Sequence, residues 1–164
     1  MRLFSNGAFV ADRWLHVPDG EAIPIEGWAI VTLKRWRQEQ ASLAALGVPF
    51  GVRVEAGEAI DAVVDDLPRL ALIALAFPKF TDGRAYSKAR TLREQHGFKG
   101  ELRAVGEVLL DQMPLMARCG FDTFEVSHGP TLRRLEAGRA AGIAKTYQAA
   151  GPTGTAGRRR AATA

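Results

Sequence analysis

The sequence predicts an α/β protein built on a mostly parallel sheet, and three observations support this fold class. From Trp28 onward, apolar runs of strand length alternate with segments whose apolar residues recur at helical spacing. Gly47, Gly97 and Gly120 follow the ends of three helical segments, where glycine often terminates a helix. Five strand–helix units in succession favour parallel strands with right-handed crossovers. An open doubly wound sheet is the first choice, and a partial βα barrel is the alternative, because one sequence does not determine strand order.

The first 20 residues are predicted to form an N-terminal β-hairpin ahead of these units. Residues 2–4 and 9–17 have the apolar character of strands and flank Asn6-Gly7. The Asn-Gly dipeptide is a strong signal for a tight hairpin turn. Turn-forming residues at positions 18–20 then end the second strand.

The five repeating units can be placed along the chain. The predicted strands are residues 28–33, 50–54, 70–77, 102–105 and 123–127. The predicted helices are residues 34–46, 58–67, 82–95, 107–118 and 130–147. The strand at 70–77 is continuously apolar, which favours burial on both faces. Pro114 falls inside the fourth helix, where proline costs about 3 kcal/mol, so that helix is either bent or starts again with Pro114 in its first turn.

Length and charge indicate one domain with a short tail. The 164 residues are expected to form a single domain over residues 1–150, followed by a disordered basic tail at 151–164. The chain has 22 basic and 18 acidic residues, and three of the arginines lie together in that tail. The remainder is nearly balanced in charge, so a nucleic-acid partner is not expected.

Two further classes of protein are excluded by composition. The longest apolar run has eight residues, at 70–77, whereas a membrane helix needs about 20. We therefore expect no membrane association and a cytoplasmic location. The single cysteine, Cys119, excludes an internal disulfide framework and an all-cysteine metal site.

Polar residues follow the third, fourth and fifth predicted strands, at the edge where parallel sheets bind ligands. Those after the fifth strand are Ser127 and His128, followed by Gly129. Lys79 and Arg84 would attract an anion together with the amide groups at the start of the following helix. In the alternative interpretation, Asp82 caps that helix and both cations are ordinary surface residues. The candidates for an anion site in these loops are Lys79, Asp82, Gly83, Arg84, Gly106 and Glu107.

Arg103 is a further candidate because it interrupts the short apolar strand at 102–105. A charge at such a position is costly unless it is paired. Either Glu101 or Asp111 is a suitable partner, and contact with an anion in a polar cavity is the alternative.

No residue pattern indicates a metal or a cofactor. Cys119 is followed by Gly120 and Phe121, a sequence typical of a buried helix C-terminus. The three histidines lie on separate elements, and His128 alone is placed at a strand end. The glycines at 151–157 are not preceded by a strand, so they do not form a nucleotide-binding loop. We therefore expect no metal, and no cofactor is evident.

Three segments in order closely resemble the DUF934 family, a bacterial family of unknown function. They are FPKFTDGRAYS at 77–87, GELRAVGEV at 100–108 and RCGFDTF at 118–124, and the resemblance covers about residues 28–147. Pro114 and the segment at 128–130 depart from the family pattern. Besides the candidates above, the matching motif residues are Ser87, Arg90, Asp111, Gln112, Arg118, Cys119 and Asp122.

Members of this family are often described as oxidoreductases involved in sulfite reduction. The resemblance therefore implies an accessory protein of assimilatory sulfate or sulfite reduction that binds the reductase or an oxyanion intermediate. Electron chemistry normally requires a cofactor, and the family supplies no catalytic residue set to carry over. The alternative is a small α/β enzyme for a phosphorylated or sulfated metabolite, with Asp82, Glu107 or Asp111 transferring protons.

Overall fold

A computed structural model describes residues 1–24 and 27–138, in which eight strands form one open, curled sheet. The strands are β1 (Arg2–Ser5), β2 (Ala8–Val10), β3 (Trp14–His16), β4 (Trp28–Thr32), β5 (Phe50–Val54), β6 (Leu70–Phe77), β7 (Glu101–Gly106) and β8 (Thr123–Val126). The helices of this part of the chain are α1 (Leu33–Ala45), α2 (Arg84–Arg90), α3 (Met113–Arg118) and α4 (Gly129–Glu136). A 3₁₀ helix (Ile60–Arg69) precedes β6, and a π-helical turn (Thr91–Gln95) extends α2.

The strand order is β2-β1-β8-β7-β6-β5-β4-β3. Strands β3 to β8 are parallel and lie side by side in the order in which they occur in the chain. A doubly wound sheet requires that order to reverse at one point, so our first choice of architecture is wrong. Crossovers of one hand that all step in the same direction place their helices on one face of the sheet. The sheet therefore curls into a half-barrel, as in the alternative prediction.

The curl brings the two edges of the sheet close together. Three residues link Val10 at the end of β2 to Trp14 at the start of β3, although these strands lie at opposite edges. Four Cα steps span at most about 14 Å, which limits the distance between the edges. His16 on β3 also contacts Glu125 on β8 across the inner face, with 2.7 Å between Nε2 and Oε1.

The two faces of the sheet have different cores. The outer face packs against the helices and carries the larger cluster, which includes Trp36, Phe50 and Phe77. The inner face carries a smaller cluster made from the alternate residues of the strands. That cluster contains Trp14, Ile30, Leu72, Ala74, Ala76 and Val105. Both faces of β6 are consequently covered, as its continuous apolar sequence predicts.

The N-terminal hairpin is confirmed, but only for β1 and β2. Their turn places Asn6 at φ 49° and Gly7 at φ 84°, the geometry that favours Asn-Gly. The prediction of one continuous strand over residues 9–17 is wrong. Asp12 interrupts it because its Oδ1 accepts a hydrogen bond from the Trp14 N–H while its carboxylate binds Arg103. Residues 14–16 then pair in parallel with β4 at the opposite edge.

Several predicted helices begin later than expected. The fourth starts only at Met113, because residues 107–112 form bends and turns after β7, and Pro114 lies in its first turn, as one of the two predicted alternatives states. The segment predicted as a helix at 58–67 is a 3₁₀ helix over Ile60–Arg69. The last predicted helix begins at Gly129, whereas its expected end at 147 and the tail at 151–164 lie outside the described residues. None of the described helices is long and apolar enough to cross a membrane.

Candidate functional site

The carboxyl ends of β5, β6, β7 and β8 surround a pocket of about 430 Å³, which we call the rim pocket. Its polar side chains come from all but one of these strand ends: Arg53 and Glu55 from β5, Glu107 after β7, and Ser127 and His128 after β8. The lining is completed by Ala76, Phe77, Pro78 and Gly106. This is the edge at which parallel sheets bind ligands, so the rim pocket is the candidate functional site.

Arg53 is the main cation of the rim pocket. Its Nε donates a hydrogen bond to Glu55 Oε1 at 2.7 Å, and both side chains are partly exposed. The two Nη groups of Arg53 have no partner among the described residues, and Arg53 lines the rim pocket. Sequence reasoning missed Arg53, although the signal that identified Arg103, a charge within an apolar strand, was present here too. Arg53 alternates with the buried Val52 and Val54 along β5, so its side chain lies on the inner face of the sheet.

Glu107 connects the rim pocket to the loop that follows β6. Its Oε2 accepts a hydrogen bond from the Phe80 N–H at 2.6 Å. Gln112 supports the same loop, since its Nε2 donates to the Phe80 carbonyl oxygen at 2.7 Å. These two bonds fix the position of the loop relative to the pocket.

Gly106 allows the ends of β6 and β7 to approach each other. Its φ of +93° favours glycine, and a Cβ at this position would lie 2.5 Å from the Phe77 carbonyl oxygen. The adjacent amide of Glu107 donates to that same oxygen at 2.8 Å. Gly106 is therefore a steric element of the rim pocket rather than a ligand-binding side chain.

The loop predicted as an anion site lies next to the rim pocket but does not line it. Arg84 and Asp82 form an ion pair with Nη2–Oδ2 and Nε–Oδ1 distances of 2.6 and 2.9 Å. Hydrogen bonds from the Arg84 side chain and backbone lower the pKa of Asp82 to about 2. Gly83 precedes α2 without a capping side chain, and Lys79 makes no ion pair within the described chain. The positive charge of Arg84 is thus largely balanced by its own neighbour.

Arg103 is enclosed on the inner face of the sheet, with a fully buried side chain. Its guanidinium binds Asp12 (2.7 Å from Nη1), Glu125 (3.0 Å from Nη1) and Glu101 (2.9 Å from Nε). Burial acts to lower the pKa of Arg103, but the hydrogen bond to Asp12 and the charge of Glu101 outweigh it, so the pKa is raised. The predicted partner Glu101 is confirmed, whereas Asp111 is not a partner. Every nitrogen of the guanidinium lies against a carboxylate, which accounts for the charge of Arg103 without an anionic ligand.

His16 completes the buried network around Arg103. It hydrogen-bonds Glu125, whose side chain is 5% exposed. Burial acts to raise the pKa of Glu125, but hydrogen bonds from His16 and Arg103 dominate and lower it. Sequence reasoning gave no signal for Asp12, His16 or Glu125, because they are distant from Arg103 along the chain.

Two of the remaining motif residues, Cys119 and Asp122, contribute to the framework of the sheet, and the others lie on the surface. Cys119 is buried at the C-terminus of α3, where the Phe121 N–H donates to the Met116 carbonyl oxygen, as the sequence predicts. Asp122 pairs with Arg93 and accepts from the Leu102 N–H at 2.8 Å, while burial raises its pKa. The motif side chains on the surface of α2 and α3 and of the adjoining loop are Ser87, Arg90, Asp111 and Arg118.

Within residues 1–24 and 27–138, no group of three or more His, Cys, Asp and Glu side chains is arranged to hold a metal ion. His128 lies at the rim pocket, but its Nδ1 bonds Thr131 Oγ1 at 2.9 Å.

The fold and the site define an α/β protein with a half-barrel sheet and a small polar pocket at its carboxyl edge. Residues 51–156 match the model of DUF934, bacterial proteins of unknown function. The match covers more than half of the chain, and the protein belongs to this family. No curated protein matches the chain.

Proposed function

We propose that the protein binds a small oxyanion-bearing metabolite in the rim pocket and acts as an accessory protein of assimilatory sulfite reduction. The observation that carries this proposal is the convergence of Arg53, Ser127 and His128 on one pocket at the carboxyl ends of the strands. A planar guanidinium and a hydroxyl group are suitable donors to a sulfur or phosphorus oxyanion. The sulfite-reduction context comes from the family resemblance.

The balance of charge in the rim pocket argues for a ligand with more than one functional group. Glu55 and Glu107 line the same pocket as Arg53. A bare anion would approach two carboxylates as well as one guanidinium, which weakens its binding. A metabolite that presents an oxyanion to Arg53 and hydrogen-bond donors to the carboxylates matches this lining.

A second function, a small enzyme acting on a phosphorylated or sulfated metabolite, is favoured by one observation. A carboxylate that lies beside an anion-binding cation can serve as a general acid or base. Glu107 meets this condition, because it lines the same pocket as Arg53. Its Oε2 is bound to the Phe80 amide, whereas its Oε1 has no hydrogen-bond partner among the described residues. Asp82 is a weaker candidate, because a pKa of about 2 keeps it ionised.

Ligand binding can be tested by thermal unfolding in sulfite, sulfate and phosphate, because a ligand that binds only the folded state stabilises it. At a ligand concentration of 100 times Kd the stabilisation is about 2.7 kcal/mol. We expect Arg53→Gln to abolish the response and Lys99→Gln, a surface charge before β7, to retain it. If Arg53→Gln responds like the wild type, the rim pocket is not the oxyanion site.

The cellular role can be tested by growth of a deletion strain on sulfate, sulfite, sulfide or cysteine as the sole sulfur source. We expect failure on sulfate and sulfite, rescue by sulfide, and no complementation by Arg53→Gln. Retrieval of the reductase with the wild-type protein would identify it as the partner. Normal growth on every source would contradict an essential role in sulfite reduction and favour the enzyme.

A further inference from the structure

A second cavity, which we call the α1 groove, lies between the first two turns of α1 and the start of the 3₁₀ helix. Its volume is about 540 Å³. Lys34 and Arg37 line one side, and Ala59 and Ala62 line the other. The α1 groove is separate from the rim pocket, because the two cavities have no lining residue in common.

The turn at residues 55–58 lies between the two cavities. Glu55 lines the rim pocket and Glu58 lines the α1 groove. The Glu55 N–H donates to Glu58 Oε2 at 2.7 Å. This bond holds one oxygen of the Glu58 carboxylate against the backbone of the turn.

The two cations of the α1 groove outnumber its one carboxylate, Glu58, so the charged side chains that line it sum to a positive charge. Lys34 and Arg37 are exposed, lie three residues apart on one helix face, and make no ion pair in the described part of the chain. Like charges at this spacing repel each other slightly. Arg35 on the same helix is different, because it is buried and binds Glu39 and the Pro18 carbonyl oxygen. Arg35 supports the fold, whereas Lys34 and Arg37 are available to a ligand.

The surface between the two walls of the α1 groove is apolar. Leu33 is buried and lines the groove together with Ala59 and Ala62, whose small side chains leave space that a larger one would fill. An apolar floor below two cations is complementary to a molecule with an apolar body and an anionic head. An inorganic anion would use only the charges and would leave the floor exposed to water.

We propose that the α1 groove is a binding site for a small amphipathic anion, an oxyanion group attached to an apolar body. The anionic head contacts Lys34 and Arg37, and the body lies against Leu33, Ala59 and Ala62. This site is independent of the oxyanion site proposed in the rim pocket. Its ligand is a sulfonate, a sulfate ester or a phosphate ester, which share the same head-group chemistry.

The test is a calorimetric titration of the folded, full-length protein with naphthalenesulfonate and with methanesulfonate, which share a charge but differ in their apolar part. We expect naphthalenesulfonate to bind at one saturable site and to bind more tightly than methanesulfonate. The double variant Lys34→Gln/Arg37→Gln should lose at least about tenfold in affinity, because it removes both charge-assisted contacts to the anionic head. Ala62→Phe should weaken binding by filling the groove while leaving the charge unchanged.

Two control variants distinguish binding in the α1 groove from binding elsewhere on the protein. Arg90→Gln/Lys99→Gln removes the same charge outside the groove and should bind like the wild type. Arg53→Gln alters the rim pocket and should also leave naphthalenesulfonate binding unchanged. The proposal is overturned if Lys34→Gln/Arg37→Gln binds like the wild type, or if only Arg53→Gln abolishes binding, which would place the ligand in the rim pocket. Equal affinity for both sulfonates would show that the apolar surface of the groove does not contribute to binding, which would also overturn the proposal.

Discussion

Replacing Arg103 by methionine should destabilise the protein substantially. Methionine keeps most of the volume of the side chain and removes its charge, so the carboxylates of Asp12, Glu101 and Glu125 lose their shared partner. Breaking a buried ion pair in this way costs about 3–5 kcal/mol. Asp12 and Glu101 are about one-quarter exposed and can be hydrated, whereas Glu125 is 5% exposed. We therefore expect the lower end of the range, about 3 kcal/mol, out of a total of roughly 5–15 kcal/mol.

The cost of the Arg103→Met change should depend on pH. The folded pKa of Glu125 is lowered, so the stability gained from its ionised form is present above its ordinary value of 4.5 and is lost as pH falls through the folded pKa. Without Arg103, the Glu125 carboxylate keeps the burial that opposes ionisation and loses one hydrogen bond that favours it. The Arg103→Met change should therefore lower the free energy of unfolding less near pH 4, where a protonated Glu125 carries no charge, than near pH 7.

Urea unfolding at both pH values, followed by circular dichroism, measures these differences. The variant Glu125→Gln and the double variant Arg103→Met/Glu125→Gln complete a double-mutant cycle. We expect a coupling of about 1–3 kcal/mol, because the amide of glutamine leaves no unpaired charge behind. A loss below about 1 kcal/mol at pH 7, with no dependence on pH, is the behaviour of an exposed ion pair and would refute a stabilising role for the buried network.

Three further predictions concern single residues. An NMR titration of Asp82 should give a pKa of about 2, and Arg84→Ala should return it toward 3.8; an unchanged pKa in the variant would exclude the ion pair as the cause. Gly106→Ala should cost at least about 1–2 kcal/mol in urea unfolding, because a side chain at positive φ is strained and its Cβ would meet the Phe77 carbonyl oxygen; a neutral effect would mean that the strands can separate there. Cys119 should react with a thiol reagent only as fast as the protein opens, since it is buried, and immediate labelling of the native state would contradict that burial.

Local sequence patterns predicted the strands better than their arrangement. The bounds of β5 and β6 agree with the prediction, because unbroken apolar residues between turn signals determine a buried strand locally. The order of the strands depends on contacts between distant segments, and no local pattern encodes it. The hairpin shows both effects, since Asn6-Gly7 determined its turn, whereas the departure of residues 14–16 to the far edge depended on Asp12 reaching Arg103.

The same difference between local patterns and contacts of distant segments applies to the site residues. The sequence predicted that Arg103 needs a partner and correctly included Glu101, two residues away. Asp12, at a separation of 91 residues, had no signal in one sequence. The rule for strand ends predicted the edge of the sheet at which the pocket lies and four of its residues: Gly106, Glu107, Ser127 and His128. It could not show that Arg84 is paired with Asp82, because that depends on side-chain geometry within the loop.

The placement of β1 to β3 has a consequence for how the chain acquires its structure. Residues 2–16 supply the strands at both edges of the sheet, and β1 pairs with β8, the last strand of the described chain. During synthesis the hairpin emerges first, yet its neighbouring strand emerges only after all the other strands. Pairing across so much chain closes a long loop, which slows folding. Strand β1 therefore has no partner on the β8 side until the chain has been made beyond Val126, and this edge of the half-barrel can form only after β8 is present.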